Sequence, residues 1–320
     1  VFLFVPRPAY RFRYVAGPAV EYNDQCAGNN PPYGASINYY LKEASKEEIV
    51  ITILDEKGNK VRTLKKEKAE TSGRRRSRGM KIPKKAGINR VNWDLRYDRT
   101  KRIKLRTSPI GEDQVKVGPE GWRAFPRGDR NPGPLVVPGT YTIKLSVGKS
   151  EYEQKLAVKK DPHSTGTVKD IEAQQETLLG IRACLNTVAD IINKAEIVRK
   201  QIYDLIALIK DDKDAEPLIK KAKELDKKII AIEGFFFSMG LTGSGDDLRF
   251  PDKFYARIRS LAWGIERADF PPTTQQLQVY DMYKKQLAEY KDRFDELLEK
   301  DLPAFNKMLA DKNILNIVVR

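Results

Sequence analysis

A chain of 320 residues, of which 40% are hydrophobic, is long enough for about two domains with a core each. No run of about eighteen apolar residues occurs, so the sequence predicts no membrane span. The formal net charge is +15, and nineteen Lys or Arg against four acids lie between Lys60 and Arg106. This one stretch therefore carries the whole excess, and clustered charge bears on partners rather than on fold.

The N-terminal stretch Val1–Val5 is apolar, with no initiator Met, charged lead or small-residue cleavage site. It does not have the pattern of a signal peptide. We expect these residues to form a strand, and we expect the numbering to start inside a larger precursor. The two cysteines, Cys26 and Cys184, fall in what we expect to be different domains. Two free or buried thiols are the favoured interpretation and a disulfide is the alternative.

Apolar residues alternate with polar ones through the first half, which is the period of half-buried strands. Turns at residues 56–59 and 147–150 predict two hairpins. A basic loop is expected after Leu64 as far as Gly87, and residues 97–133 are expected to be an insertion with one short strand. The run Pro138–Leu145 is expected to partner Asn89–Arg96. The predicted strands are Ser36–Lys42, Ile49–Leu54, Lys60–Leu64, Asn89–Arg96, Leu135–Val137, Thr140–Val147 and Tyr152–Val158. Such a set of short strands favours a Greek-key sandwich.

After Asp161 the apolar period changes to three and four, which indicates helices. The first is expected to run for roughly forty residues, with Thr167 and Asp170 at its start. A second helix ends near Gly234, and a third has Pro251 near its first turn. Thr273 with Gln276 forms a capping box for a fourth helix, which Pro303 is expected to interrupt before a short last segment. Four helices with short connections suggest an antiparallel bundle.

Several segments resemble the C-terminal region of a family of large bacterial propeller proteins. They are Phe4–Phe12, Asn30–Ala35 with Tyr39–Leu41, Gly87–Tyr97, Gly133–Pro134 with Pro138–Tyr141, Asp269–Thr273 and Asp301–Asn306. The family is that of the sortilin-like, BNR (Asp-box) repeat proteins, often labelled glycosyl hydrolases. The first two segments are similar to the join after the last propeller blade, the next two to an immunoglobulin-like module also found in flagellar hook-capping proteins, and the last two to a helical region.

The resemblance implies a C-terminal fragment of an exported bacterial protein of the periplasm or cell surface, with its propeller missing here. The Asp-box pattern Ser-x-Asp-x-Gly-x-Thr-Trp does not occur in the chain, and the density of Arg and Lys at 74–85 departs from the family pattern. Any hydrolase activity that the label suggests would belong to the absent propeller. No catalytic residue is carried over.

The one candidate binding site is basic and consists of Arg74, Arg75, Arg76, Arg78, Lys81, Lys84 and Lys85. Guanidinium groups bind phosphate and carboxylate in a bidentate manner, so this loop is a candidate contact for lipopolysaccharide, an acidic glycan or an acidic protein. A solvated loop in a basic protein is the simpler interpretation. Nucleic acid is disfavoured because no aromatic residues interleave with the arginines to stack on bases.

The other residues that draw attention are interpreted as structural. His163 stands alone at a domain junction, and no cluster has the spacing of metal ligands. The pairs Asp211-Asp212 and Asp246-Asp247 are interpreted as acids of helix linkers, and Gly240–Gly245 lacks the ending of a phosphate loop. Phe235–Phe237 with Met239 is interpreted as packing, and Trp122 as a ring over the sandwich edge rather than a carbohydrate platform. No catalytic, cofactor-binding or metal-binding residue is predicted.

The sequence thus predicts an immunoglobulin-like β-sandwich followed by an antiparallel helical bundle. Residues 1–32 are expected to be the remnant of a preceding propeller and its linker, 33–160 the sandwich and 165–320 the bundle. The leading hypothesis is a non-catalytic accessory or protein-interaction module that binds another envelope or surface protein. The alternatives are a region that supports a sialidase-like glycoside hydrolase, and a binder of polyanions through residues 60–106.

Overall fold

A computed structural model describes residues 1–13, 32–66, 70–72, 75–77, 80–126, 128, 131–243 and 245–319. Strands occupy its first half and helices most of its second, so the predicted order of β before α is confirmed. Cys26 lies outside the described residues, whereas Cys184 is a half-buried free thiol.

Three antiparallel strands form the smaller of the two main sheets, in the order β1-β3-β8. They are β1 (Phe2–Leu3), β3 (Ala35–Leu41) and β8 (Gly87–Trp93). In β3 the side chains of Ile37, Tyr39 and Leu41 are buried and alternate with more exposed ones. The predicted period of two is therefore confirmed for this strand.

Five strands form the larger sheet, in the order β2-β12-β11-β4-β5. They are β2 (Ala9–Arg11), β4 (Ile49–Leu54), β5 (Lys60–Leu64), β11 (Gly139–Val147) and β12 (Ser150–Lys160). The predicted hairpins β4–β5 and β11–β12 are both confirmed, and β2 joins the edge of the sheet in parallel with β12. Buried side chains of both sheets belong to one hydrophobic core.

The expected pairing of the Asn89–Arg96 run with the Pro138–Leu145 run is wrong. β8 pairs with β3, whereas β11 lies between β4 and β12 in the other sheet. The two runs meet only through the core, where the rings of Trp93 and Tyr141 pack edge to face with centroids 5.5 Å apart. A period of two shows which face of a strand is buried but does not name its neighbour.

Short strands appear in the segments that the sequence predicts to be a basic loop and an insertion with one short strand. Within the basic loop β6 (Glu70–Ser72) pairs with β7 (Arg75–Ser77), and within the insertion β9 (Lys104–Leu105) pairs with β10 (Arg123–Ala124). Residues 135–137 are not a strand and contribute only an isolated bridge from Leu135 to Arg96. Segments of two or three residues are too short for their pattern to predict which strand they pair with.

The helices lie where the sequence has apolar residues at intervals of three and four. They are α1 (Val168–Ile209), α2 (Glu216–Phe236), α3 (Phe254–Glu266), α4 (Thr274–Glu296) and α5 (Leu302–Ala310). Thr167 and Asp170 exchange hydrogen bonds at the start of α1, and the capping box of Thr273 and Gln276 is present. The predicted interruption at Pro303 is wrong, because a π-helical stretch, Leu297–Asp301, continues α4 into α5 and Pro303 lies in the first turn of α5.

The chain folds into two compact units. The sheet unit consists of residues 1–99, 132–179 and 266–271, and the helical unit of residues 100–131, 180–265 and 272–320. This division differs from the expected domains at 33–160 and 165–320. Residues 101–107 belong with the helices because Asn186, Asn193 and Glu196, on one side of α1, accept hydrogen bonds from their backbone N–H groups.

Candidate interaction surface

An exposed row of apolar side chains crosses the outer face of the three-stranded sheet. Phe2 lies directly opposite Tyr40, and Tyr40 directly opposite Ile88, so one residue from each strand contributes. Their exposures are 55%, 41% and 72%. Directly paired side chains on one face lie within contact distance, so the three form a continuous patch. We call Phe2, Tyr40 and Ile88 the outer row.

The outer row continues at the N-terminal strand and is bordered by cations. The ring of Phe4 packs edge to face on that of Phe2, with centroids 5.1 Å apart. Arg90 and Asn38 are the paired residues two positions from Ile88 and Tyr40 on the same strands. Arg90 donates from Nε to Oδ1 of Asn38 at 2.8 Å, which fixes its exposed guanidinium beside the row. Contiguous exposed apolar surface with a polar rim is typical of a binding surface.

The strand that carries Ile88 is also a sheet edge. In the part of the chain that the structure describes, β8 has a neighbouring strand on the side of β3 alone. A strand in that position presents backbone N–H and C=O groups to any chain that docks alongside it. The edge and the outer row therefore offer polar and apolar contacts side by side.

The predicted basic site is only partly described. Arg74 and Arg78 lie outside the described residues, and Arg75 and Arg76 are in β7. Lys81, Lys84 and Lys85 are exposed. The backbone of Lys85 is fixed to Asn89 of β8, whose side-chain amide accepts from its N–H at 3.2 Å and donates to its C=O at 2.8 Å. The structure therefore places the last two lysines at the start of the strand that carries Ile88.

Part of the remaining charge between residues 60 and 106 is paired with acids of the same chain. Arg62 lies 3.8 Å from Asp98, and Lys101 binds Asp190 at 2.6 Å. Arg96 forms an ion pair with Glu266. The sequence count of nineteen cations therefore overstates the charge that is available to a partner.

Trp122 was expected over the sandwich edge, but it is not part of the sheet unit. It belongs to the helical unit, where Lys104 Nζ lies 5.2 Å and the Arg102 guanidinium carbon 5.6 Å from its ring centroid. Such cation–π contacts hold two further cations of the basic stretch against the protein.

Two of the segments that carry the family resemblance meet in the sheet unit. Arg11, from β2, and Asp269 form a buried ion pair, and Arg13 Nε binds the same carboxylate at 2.7 Å. Burial raises the pKa of Asp269, but the hydrogen bond and charge of Arg11 and the charge of Arg13 hold it below its ordinary value. This contact joins residues 258 positions apart and holds the two segments together within the sheet unit.

A third resembling segment forms a tight turn after β8. The indole Nε1 of Trp93 donates to the carbonyl of Arg96 at 2.9 Å, and Leu95 is buried with a φ of 56°. A left-handed conformation is rare for a non-glycine residue and persists only where its surroundings hold it. The carbonyl of Leu95 accepts from Val136 N at 2.8 Å, which supplies such a hold.

The helical unit contains a buried ionic cluster that the sequence did not predict. Arg199 of α1 donates to Glu196 at 3.0 Å, to Asp226 at 3.0 Å and to Glu233 at 3.1 Å. Arg199, Glu196 and Glu233 are at most 1% exposed. The only sequence signal is the pair Glu196 and Arg199, three positions apart, beside the recurring apolar residues of α1.

The carboxyl groups of this cluster are not equivalent. Glu196 accepts from the N–H and hydroxyl of Thr107, both at 2.8 Å, as well as from Arg199. Glu233 accepts from Arg199 through Oε2, and its Oε1 has no hydrogen-bond partner among the described residues. Burial and the charge of Glu196 raise the pKa of Glu233 well above its ordinary value. Glu233 is therefore the carboxyl of this cluster whose protonated form its surroundings favour.

Burial also lowers the pKa of Arg199, but the charges of Glu233 and Glu196 raise it overall. The guanidinium therefore stays charged. Arg199, Glu196 and Glu233 are shielded from solvent, and the cluster connects α1, α2 and residues 101–107.

The residues interpreted as structural have structural contacts. His163 is exposed, and its backbone N–H binds Asp161. Asp212 caps a 3-10 helix through Asp214 N, and Asp246 accepts from both the N–H and the hydroxyl of Thr242 at 2.7 Å. Phe236, Phe237 and Met239 are buried, as expected.

Neither helices nor acids of the described chain suggest a membrane span or a metal centre. No described helix combines the length and the apolar character that crossing a bilayer requires. Within the same residues no group of three or more His, Cys, Asp or Glu side chains has a geometry that could hold a metal ion.

No family model matches the chain, and comparison with curated proteins and with solved structures finds no significant match.

Proposed function

We propose that this chain is a non-catalytic protein-interaction module and that it binds its partner through the outer row. The observation that carries the proposal is the direct cross-strand alignment of exposed Phe2, Tyr40 and Ile88. Water contact with so much aligned apolar surface is unfavourable, and a partner that covers it would recover that free energy.

The proposal includes the finer fold that the sequence predicts, an immunoglobulin-like sandwich followed by an antiparallel helical bundle. The strand orders β1-β3-β8 and β2-β12-β11-β4-β5, with one shared core, support the sandwich. So does Tyr141, near the start of β11, whose hydroxyl donates to the carbonyl of Val137 at 2.8 Å. A tyrosine that bonds back to the preceding backbone in this way is a hallmark of immunoglobulin-like folds.

The module is proposed to belong to the C-terminal part of an exported propeller protein and to act in the periplasm or at the cell surface. The resemblance to the sortilin-like, BNR repeat family supports this, and the Arg11–Asp269 contact between two of the resembling segments is consistent with it. Should the parent protein be a glycoside hydrolase, its active site would lie in the propeller and this region would support it.

The partner is proposed to be another envelope or surface protein, with an apolar patch surrounded by acidic residues. Arg90 borders the outer row, and Lys84 and Lys85 lie just before the strand that carries Ile88. None of the three forms an ion pair with an acid among the described residues, so an acidic rim would complement them. Complementary charge at a rim favours the rate and specificity of binding, whereas the apolar centre supplies most of the affinity.

Affinity capture tests the proposal. The chain and its Tyr40→Ser/Ile88→Ser variant are used to capture proteins from an envelope extract, and a captured protein is purified for a Kd measurement. We expect one defined protein, retained at high salt, to bind the variant at least about tenfold more weakly, a loss of about 1.4 kcal/mol. Both substituted residues are exposed, so the variant should unfold at an unchanged temperature.

A matched control places the same substitution at other exposed apolar residues. Leu208→Ser/Leu248→Ser removes side chains that are 82% and 100% exposed, and should leave the Kd unchanged. An equal Kd for the wild-type chain and the Tyr40→Ser/Ile88→Ser variant would overturn the proposal.

The alternative function is polyanion binding through the basic loop, and the exposure of Lys81, Lys84 and Lys85 favours it. It predicts binding to lipopolysaccharide or an acidic glycan that weakens steeply as salt rises, because each cation that binds a charged group displaces counterions. Replacing the three lysines by Ala would abolish such binding, whereas the Tyr40→Ser/Ile88→Ser variant would retain it.

A further inference from the structure

The segment after α5 reverses direction and returns along the helical unit. Asn313 has a φ of 55°, and the N–H groups of Ile314 and Asn313 donate to the carbonyls of Leu309 and Ala310, both at 2.9 Å. These paired bonds form the helix-ending arrangement in which a left-handed residue reverses the chain. We call residues 314–319 the clamped segment.

Two side-chain amides bind the backbone of the clamped segment, each at both of its polar groups. Asn306 of α5 donates to the carbonyl of Ile317 at 2.9 Å and accepts from its N–H at 2.8 Å. Gln201 of α1 does the same for Val318, at 2.8 Å and 3.0 Å. Each amide thus copies the paired hydrogen bonds that a neighbouring antiparallel strand would make.

The side-chain amides of Asn306 and Gln201 bind opposite edges of the backbone of the clamped segment. The N–H and C=O of one residue in an extended chain point to one edge, and those of the next residue point to the other. Since Asn306 binds Ile317 and Gln201 binds Val318, the backbone runs between α5 and α1 with both edges satisfied. Contacts of this kind read the main chain and are indifferent to most side chains.

Ile317 is the one buried side chain of the clamped segment. Ile317 is 5% exposed, whereas Leu315 and Val318, on either side of it, are 91% and 51% exposed. The side chain of Ile317 is therefore the apolar anchor, whereas residues 315, 316 and 318 stay exposed. A site that reads the backbone and one apolar anchor is the pattern of a peptide-binding groove.

We propose that the groove between Gln201 and Asn306 is a recognition site for an extended peptide with one aliphatic anchor, and that the clamped segment occupies it as an internal competitor. A segment of another chain with the same features would displace it. The local concentration of the tethered segment is on the order of millimolar, so it suppresses binding of weak competitors. This site is separate from the outer row, and the inference does not depend on the proposed function.

The test uses the full chain and a fluorescent peptide with the sequence of residues 314–319. Ile317→Asp places a charge at the anchor and should release the groove. We expect the peptide to bind this variant about tenfold or more tightly than the wild-type chain by fluorescence anisotropy, because the internal competitor is lost. Adding Asn306→Ala to the variant should abolish binding, as should an Asp at the anchor position of the peptide.

Leu315→Asp is the matched control, since it adds the same charge to the same segment at an exposed position. It should bind the peptide as weakly as the wild-type chain. Equal binding to all three chains, or no binding to a folded Ile317→Asp chain, would overturn the proposal.

A second measurement covers the case in which Ile317→Asp fails to fold. Excess peptide is added to the wild-type chain while hydrogen exchange is followed at the amides of Ile317 and Val318. Displacement predicts faster exchange at both amides as peptide concentration rises. Unchanged exchange at saturating peptide would contradict the proposal.

Discussion

Arg199 shows how much a single residue can matter in this chain, because one guanidinium pairs with three carboxyl groups of a buried cluster. Replacing it by Met would leave those groups without their cation. We expect Arg199→Met to lower the free energy of unfolding by about 3–5 kcal/mol, measured by urea denaturation. Lys194→Met, at an exposed position of the same helix, should change it by less than about 0.5 kcal/mol. A similar small effect for both variants would show that the cluster contributes little.

Glu233 makes stability depend on pH, because its pKa is raised well above the ordinary value by burial and by Glu196. The folded state holds a proton that the unfolded state loses, so stability from this group is present below about pH 4 and lost as pH rises towards the folded pKa. Each unit between the two pKa values costs about 1.4 kcal/mol. Glu233→Gln removes this loss.

Urea denaturation of Glu233→Gln at pH 4.5 and pH 8 measures the effect. We expect the variant to gain stability over the wild-type chain as pH rises between these values. Glu299→Gln, at an exposed position, should run parallel to the wild-type chain. A Glu233→Gln variant that also ran parallel would mean that Glu233 is ionised in the folded state.

The buried cluster was not predictable from the sequence for a definite reason. Arg199 follows Glu196 by three positions, a spacing that also suits an ordinary ion pair on an exposed helix face. Their partner Glu233 lies 34 residues beyond Arg199, and only the packing of α2 against α1 brings it within reach. Spacing within one helix carries no information about such a partner.

Helix boundaries are the elements that sequence predicts best, since their signals are local. The capping box of Thr273 and Gln276 marks the start of α4, as predicted. We expect Thr273→Ala to destabilise the protein by about 1 kcal/mol, because Gln276 N loses its acceptor. Thr274→Ala, one residue further and also exposed, should cost much less when both variants are compared by thermal denaturation. Equal losses would indicate that the cap has no specific role.

Strand position is likewise local, whereas strand pairing is not. The bounds of β4 match the predicted Ile49–Leu54, because β-branched residues mark the strand itself. The partner of β8 was predicted wrongly, because alternation assigns side chains to faces without choosing a neighbour. The outer row was missed for the same reason, since Phe2, Tyr40 and Ile88 align only once the register of three strands is known.

At the scale of the whole molecule, the Arg11–Asp269 pair joins the first strands of the sheet unit to a segment near the end of the chain. Asp269→Asn would leave Arg11 and Arg13 without a charged partner. We expect it to cost about 3 kcal/mol or more, because Arg11 is only 2% exposed. Asp281→Asn, which breaks an exposed pair with Lys284, should cost less than about 1 kcal/mol.

The same pair should govern acid sensitivity. The pKa of Asp269 is held below its ordinary value of about 3.9, so its contribution is present above that pH and lost as pH falls through the folded pKa. The wild-type chain should therefore lose stability below about pH 4, and Asp269→Asn should lose less over that range. Equal acid-induced losses in the two proteins would exclude Asp269 as a source of the sensitivity.

The sequence predicts the β-then-α order of the chain but not its division into units. The change of period near Asp161 is a true change of secondary structure, yet residues 101–107 belong with the helices. They do so because side chains of α1 bind their backbone, and irregular residues carry no period from which that could be read. Which elements share a unit depends on such long-range contacts.

Hydrogen exchange of the chain, with and without its purified partner, tests the central claim most directly. The account predicts that binding slows exchange along the outer-row strands, at residues 35–41 and 87–93, and leaves α3 and α4 unchanged. Protection at the outer row that disappears in the Tyr40→Ser/Ile88→Ser variant would establish this face as the recognition surface. Protection confined to the helical unit, with none in β3 or β8, would contradict the account.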